Sequence, residues 1–264
     1  MELASYEFIY GVKKRWFLIF LSLIPLVMLF SNFVINYVNG LNEGFAFSHS
    51  VYYHLGKILY GMRTAGNIIE EKHREVPLQW LIIQMSYLLM ISGYISEERL
   101  NRIENITRYG TYRSWWLRKV QWFIGISAMY YAIVALMLIL DVKLEALVQI
   151  SNGIEHIPSD LDSYGEGVYI YTVIFFILHS IILGIFQICM ELRVQGIVAL
   201  LVNIAIMLFE MFSQKVMLPC HLGMIIRNAS VVENPSLSML LILIEMGVVI
   251  MGIIVGGKIC KNGF

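Results

Sequence analysis

The chain has 264 residues, 58% hydrophobic and 14% charged, with zero formal net charge and a mean hydropathy of +0.71. Soluble domains carry about 25% charged residues, so this composition excludes an ordinary soluble domain, and the balanced charge offers no footprint for nucleic acid. Cys189, Cys220 and Cys260 form no CxxC or Cys/His motif, so neither a disulfide framework nor a zinc site is read from them.

Along the chain, Leu3, Phe8, Ile9 and Val12 share one helical face. They predict a short interfacial helix before the chain turns into the bilayer. The apolar run after Lys13, Lys14 and Arg15 is long and has no small-residue cleavage site, so it reads as a retained span and not as a signal peptide. A bilayer core of about 30 Å needs roughly twenty apolar residues in a helix. Six stretches meet that length or approach it: 16–37, 77–95, 120–140, 168–190, 196–217 and 236–256. The expected fold is all-α, with six transmembrane helices in a single domain over 1–264 and a multi-pass place in the cell membrane. In the first connecting segment, 39–76, Val51, Leu55, Ile58, Leu59 and Met62 recur at helical spacing. They predict an amphipathic helix packed against the outer side of the bundle or dipping into the interface.

Lys and Arg set the orientation. With the N-terminus inside, twelve of the nineteen basic residues fall in inner segments and seven in outer ones. Both termini are therefore expected to be cytoplasmic. The segment 141–167, which carries Asp160, Asp162 and Glu166, is expected outside.

The inner segment 96–119 is the most structured of the connections. Glu97, Glu98, Arg99, Arg102 and Glu104 would line the polar face of a short helix, with Leu100, Ile103 and Ile106 on another face. Arg113, Trp115, Trp116, Arg118 and Lys119 follow, directly before the third span. Tryptophan favours the headgroup level, and long cations snorkel to it, so this second cluster reads as an interfacial anchor. The first cluster reads either as a plain positive-inside loop or as a docking element for a separate motor protein.

These residues carry a resemblance. Pro77, Leu78 and Trp80 at the entry to span two, and Arg108, Arg113, Trp115, Trp116 and Lys119 before span three, resemble permease subunits of Gram-positive ABC transporters. The likeness is to the small six-span kind encoded with bacteriocin or lantibiotic systems. The stretch 218–228, LPCHLGMIIRN, echoes a further family pattern, with Cys220 and His221 standing where the family has Gly-Asn. The resemblance implies a permease that moves a peptide or other amphiphile by alternating access. It would pair with a second permease, identical or paralogous, and with two ATPase subunits docked on the 96–119 segment. ATP and magnesium would bind those partners, because this chain has no GxxxxGK[ST] phosphate loop of its own.

Three ionisable residues, His179, Glu210 and Glu245, interrupt the later spans. Such groups are costly in lipid and face protein or water. They read either as the lining of a translocation path or as interhelical hydrogen-bonding groups, with Asn203 as a further partner. Two readings from other classes stand beside the permease. Glu97, Glu98 and Arg102, taken with Phe175 and His179, also resemble an intramembrane CAAX-type protease, in which glutamate and histidine activate a water. A structural or sensor membrane protein needs neither chemistry.

Overall fold

In a computed structural model, residues 2–42, 51–61, 76–100, 109–152, 165–213, 219–232 and 234–262 are described. All regular structure among them is helical. In chain order the helices are α1 (Glu2–Asn42), α2 (Val51–Leu59), α3 (Leu78–Ile91), α4 (Tyr94–Leu100), α5 (Tyr112–Asn152), α6 (Glu166–Glu191), α7 (Gly196–Phe212), α8 (Pro219–Leu222), α9 (Ile225–Val232) and α10 (Pro235–Asn262). Five helical stretches among the described residues are long and apolar enough to cross a membrane: Phe8–Gly40, Leu78–Arg99, Tyr112–Val148, Glu166–Glu191 and Pro235–Lys261.

The N-terminal expectation is corrected. No turn separates an interfacial helix from the first span, because α1 is continuous from Glu2 to Asn42. At 1.5 Å per residue its 41 residues extend for about 62 Å, roughly twice a bilayer core. Packing explains the continuity. Phe8 lies against Gly125 and Gly11 against Trp122, so the first turns of α1 already pair with α5. The helix α5 is equally long. It carries on through Asp141, Lys143 and Glu145 to Asn152, where the sequence suggested a loop from residue 141.

The span expected at 77–95 is interrupted. Ser92 and Gly93 form a turn between α3 and α4, and Gly93 has φ +80°, a conformation that favours glycine. The turn packs on the first residue of α7, where a Cβ at Gly196 would collide with the Gly93 backbone.

The span expected at 196–217 is also shorter, since α7 ends at Phe212 after 17 residues. It extends about 25 Å and therefore stops beside the middle of α6. The space beyond it is filled by α8 and α9, which pack along α6. The Gly223 backbone lies against that of Phe176, and Asn228 Nδ2 donates to Thr172 Oγ1 at 3.4 Å and to the Leu222 carbonyl at 2.7 Å. A helix that ends away from water leaves its last carbonyls without partners. Here His221 Nε2 donates to the Glu210 carbonyl (2.7 Å), and Arg227 donates to those of Met211 (3.0 Å) and Ser213 (3.3 Å). Arg227, counted in the sequence as a cation of an outer loop, is thus buried as the cap of α7, where its charge also complements the negative end of the helix dipole.

The amphipathic helix expected in 39–76 is α2. It buries Tyr53, His54, Ile58 and Leu59 against the bundle, while Met62 lies outside the described residues. Its end is joined to α9 by the amide of Ile226, which donates to the Tyr60 carbonyl.

One apolar cluster joins α1, α2, α3, α5, α6, α7 and α10. Within it, polar side chains bond across helices. Ser180 donates to Gln84 (2.9 Å), Tyr130 to the Ile83 carbonyl (2.6 Å) and Gln187 to the Leu88 carbonyl (3.1 Å). Tyr87 and Ser127 share a hydrogen bond of 2.8 Å. Small and polar residues at helix contacts are how helices associate where lipid removes the hydrophobic drive. The outer surface is the reverse. Phe17, Phe20, Met28, Leu201, Phe209, Leu243 and Met251 are among many large apolar side chains left exposed. That inversion, polar groups inside and bare apolar side chains outside, is the architecture of a helical membrane protein.

Candidate functional site

Two polar regions merit attention. The first lies at the end of the bundle where α1, α4 and the start of α5 meet. Glu98 is buried between two cations, with Lys14 Nζ at 2.7 Å and Lys119 Nζ at 3.4 Å. Lys119 is fully buried. It also donates to Tyr94 Oη at 3.2 Å, and the Tyr94 ring stacks on Trp122 with centroids 3.9 Å apart. Glu97 is exposed and pairs with Arg15 at 2.7 Å. Arg99 donates to the Leu192 carbonyl at 3.0 Å. Below the turn of Ser92 and Gly93, the Glu191 carboxylate accepts from the amides of Gly93 (2.6 Å), Ile95 (3.1 Å) and Ser96 (3.3 Å). It therefore acts as an N-terminal cap for α4 supplied by another helix, satisfying amides that have no intrahelical acceptor.

The five residues expected to line a docking face are thus divided. Glu98 and Arg99 bond inward to neighbouring helices and Glu97 bonds to α1. Arg102 and Glu104 lie outside the described residues. The expected anchor is divided as well. Trp115 and Trp116 are buried, and Trp116 Nε1 donates to the Ile253 carbonyl of α10 at 2.9 Å. Both indoles face protein, and Lys119 is inside with them. Arg113 is exposed and shares a groove with Trp116, Leu117, Ile253, Lys258 and Lys261. Arg118 bonds locally to Gln121 at 3.0 Å. Composition alone cannot separate a headgroup-facing indole from one that packs on a neighbouring helix, because both need an apolar face and a single donor.

The second region lies at mid-depth. His179 stands twelve residues, about 18 Å, above Glu191 on α6. Its Nε2 is 3.7 Å from Glu210 Oε2 in the last turn of α7. The ring stacks on Trp80 with centroids 5.9 Å apart and planes at 29°. Trp80 is the tryptophan of the Pro-Leu-x-Trp stretch, so that stretch opens α3 and fixes the orientation of the imidazole. Cys220 of α8 completes the group. One ligand-type atom from each of His179, Glu210 and Cys220 lies within 4.8 Å of the others. His179 and Cys220 are 1% and 0% exposed. Neither ring nitrogen of His179, nor Glu210 Oε2, has a hydrogen-bond partner. Glu245 of α10 is buried nearby, both of its oxygens likewise without a partner. Asn203, expected as a companion of this group, bonds instead to Gln187 (3.1 Å) and the Leu183 carbonyl (3.2 Å).

The structure therefore brings His179 and Glu210 together. It adds Cys220 and His221, which the sequence reading passed over. No spacing rule could have found them, because the group is assembled from α6, the end of α7 and the segment after it. A signal was present in the same sequence: a Cys-His pair directly after a proline, following an apolar run that holds a carboxylate. The level of His179 separates it from Glu97 and Glu98, which belong to the turn region held by Glu191.

The fold and these two regions define an all-helical protein with helices fit to cross a membrane. Compared with known protein families, curated proteins and solved structures, the chain matches none of them.

Proposed function

We propose that the chain is the membrane-spanning permease subunit of an ABC transporter, with six crossings, both termini cytoplasmic, and a peptide or amphiphile as substrate. The short α7 together with α8 and α9 makes the fifth crossing. The observation that carries this reading is the way α4 is held. It is tied to α1 through Lys14 and Arg15, to α5 through Lys119, and to α6 through Glu191. A push on the segment after α4 would therefore be transmitted to three long helices together and not absorbed by a loose loop. That is the mechanical requirement for converting ATP-driven closure of separate ATPase subunits into rocking of the helices. In this reading Glu97, Glu98 and Arg99 position the docking segment, and contact with the ATPase falls to 101–108, including Arg102 and Glu104. The mid-depth group of His179, Glu210 and Glu245 lines the candidate path. A second permease would complete that path, and its ATPases would hold the ATP and magnesium.

The protease reading lacks its key pairing, since Glu97 and Glu98 bond to cations near one end of the bundle while His179 lies at mid-depth.

The test is affinity capture of the full chain from detergent extracts of the native host, at matched expression. Wild type should recover a soluble protein bearing a phosphate-loop ATPase signature. Arg102→Glu with Glu104→Lys should reduce that recovery severalfold without lowering membrane insertion, because charges at a solvated docking face select the partner. Failure of wild type to recover any ATPase would overturn the reading.

A further inference from the structure

We propose that His179, Glu210 and Cys220 form a binding site for one divalent transition-metal ion of the zinc class, at the junction of α6, α7 and α8. The inference does not depend on the permease reading. Its first support is geometric. Four ligands around zinc at bond lengths of about 2.0–2.3 Å stand roughly 3.3–3.8 Å apart. The His179 Nε2 to Glu210 Oε2 separation is 3.7 Å, and no pair of donor atoms in the group exceeds 4.8 Å. Side-chain adjustments of about 1 Å would close the set.

The second support is the state of the donors. Buried polar atoms are almost always paired, yet His179 is 1% exposed with both nitrogens unpartnered, and the Glu210 oxygen facing it is unpartnered as well. Unpartnered polar atoms occur elsewhere as well, on Asn203 and Asp141 among others. Here an unpartnered nitrogen and an unpartnered carboxylate oxygen converge with a sulfur, a combination that points to a ligand that takes lone pairs.

The third support is charge. A carboxylate carried this deep is costly unless neutralised. A dication with one thiolate, one carboxylate and one neutral imidazole sums to zero, so the ion and its ligands enter the low-dielectric interior as a neutral unit. The donor types set the class of metal. Calcium and magnesium require six or more oxygens, whereas a nitrogen, a sulfur and an oxygen suit zinc and its neighbours. Glu245 lies outside the 4.8 Å group. Three protein ligands leave one position for a small exogenous ligand, as in open zinc sites. The surrounding contacts fix the ligands. Trp80 stacks on the imidazole, and His221 holds the α8 segment to the end of α7 through the Glu210 carbonyl.

The test uses the full chain in detergent, first stripped with chelator. Titration with cobalt(II) should saturate near one equivalent and give a sulfur-to-metal charge-transfer band, which zinc then displaces and magnesium does not. Cys220→Ser should remove the band. His179→Gln and Glu210→Gln should each weaken zinc binding by at least about 100-fold, beyond the range typical of an outer partner. Cys189→Ser with Cys260→Ser should leave the band unchanged. A band that persists in Cys220→Ser would overturn the proposal, as would equal competition by magnesium. Because the ligand variants could fail to fold, wild type is also melted with and without zinc. Binding to the folded state alone must raise its Tm, and an unchanged Tm overturns the site.

Discussion

The charged junction of α1, α4 and α5 and the mid-depth group around His179 are built from the same residue types, and they are opposites in how those residues are used. At the junction the buried carboxylates are partnered. Glu98 has Lys14 and Lys119, and the adjacent Glu191 has three amides. At mid-depth His179, Glu210 and Glu245 converge with donor and acceptor atoms unused. A saturated network resists change, because removing one member strands the others in a low-dielectric interior. An unsaturated one is costly to carry and is the natural place for something to bind. The difference assigns the two regions distinct work. The junction holds helices in register, and the mid-depth group is the one we propose to bind a metal ion.

Substitutions at three positions sharpen this contrast, taken in decreasing order of expected effect. Glu98→Gln removes the anion shared by Lys14 and Lys119. The expected destabilisation is about 3–5 kcal/mol, read as a lower midpoint in detergent unfolding. A midpoint equal to wild type would show that the junction is not saturated in the sense described. Glu191→Ala should come next, at about 2–3 kcal/mol, because three amides of the α4 turn lose their acceptor. Glu191→Gln should recover part of that loss, since its carbonyl oxygen still accepts. Equal midpoints for Ala and Gln would sink the cap assignment. The smallest effect is expected from Glu245→Gln, whose carboxylate has no hydrogen-bonded partner to strand. Its unfolding midpoint should stay within about 1 kcal/mol of wild type or rise. A loss as large as that of Glu98→Gln would mean that Glu245 belongs to a saturated network after all.

The inward placement of the junction was hard to foresee for a specific reason. In the sequence Glu97, Glu98, Arg99, Arg102 and Glu104 mix both signs, as on a solvated helix face. What turns Glu98 inward is Lys14, 84 residues earlier, and α1 reaches it only because the first helix runs straight past the point where a turn was expected. The mid-depth group was half legible. His179 and Glu210 stood out because charge and imidazole are rare in apolar runs. Cys220 and His221 did not, because they follow the run and look like loop.

What the sequence by itself determined is the class of the molecule and the main elements of its bundle. Runs of about twenty apolar residues admit few structures other than helices in a bilayer, since every backbone amide must be satisfied within its own segment. The runs near 16–37, 77–95, 120–140, 168–190 and 236–256 fall within the helical stretches fit to cross a membrane. Tertiary structure alone decided where those helices stop and which polar groups meet. Helix α7 can end at Phe212 because Arg227 and His221 cap its carbonyls, and those caps come from a later segment folded back against α6. The apolar run of α7 ends where Ser213, Gln214 and Lys215 follow it, and donors placed by the rest of the chain satisfy the carbonyls at that end. The position of that end is what sets Glu210 beside His179 and Cys220.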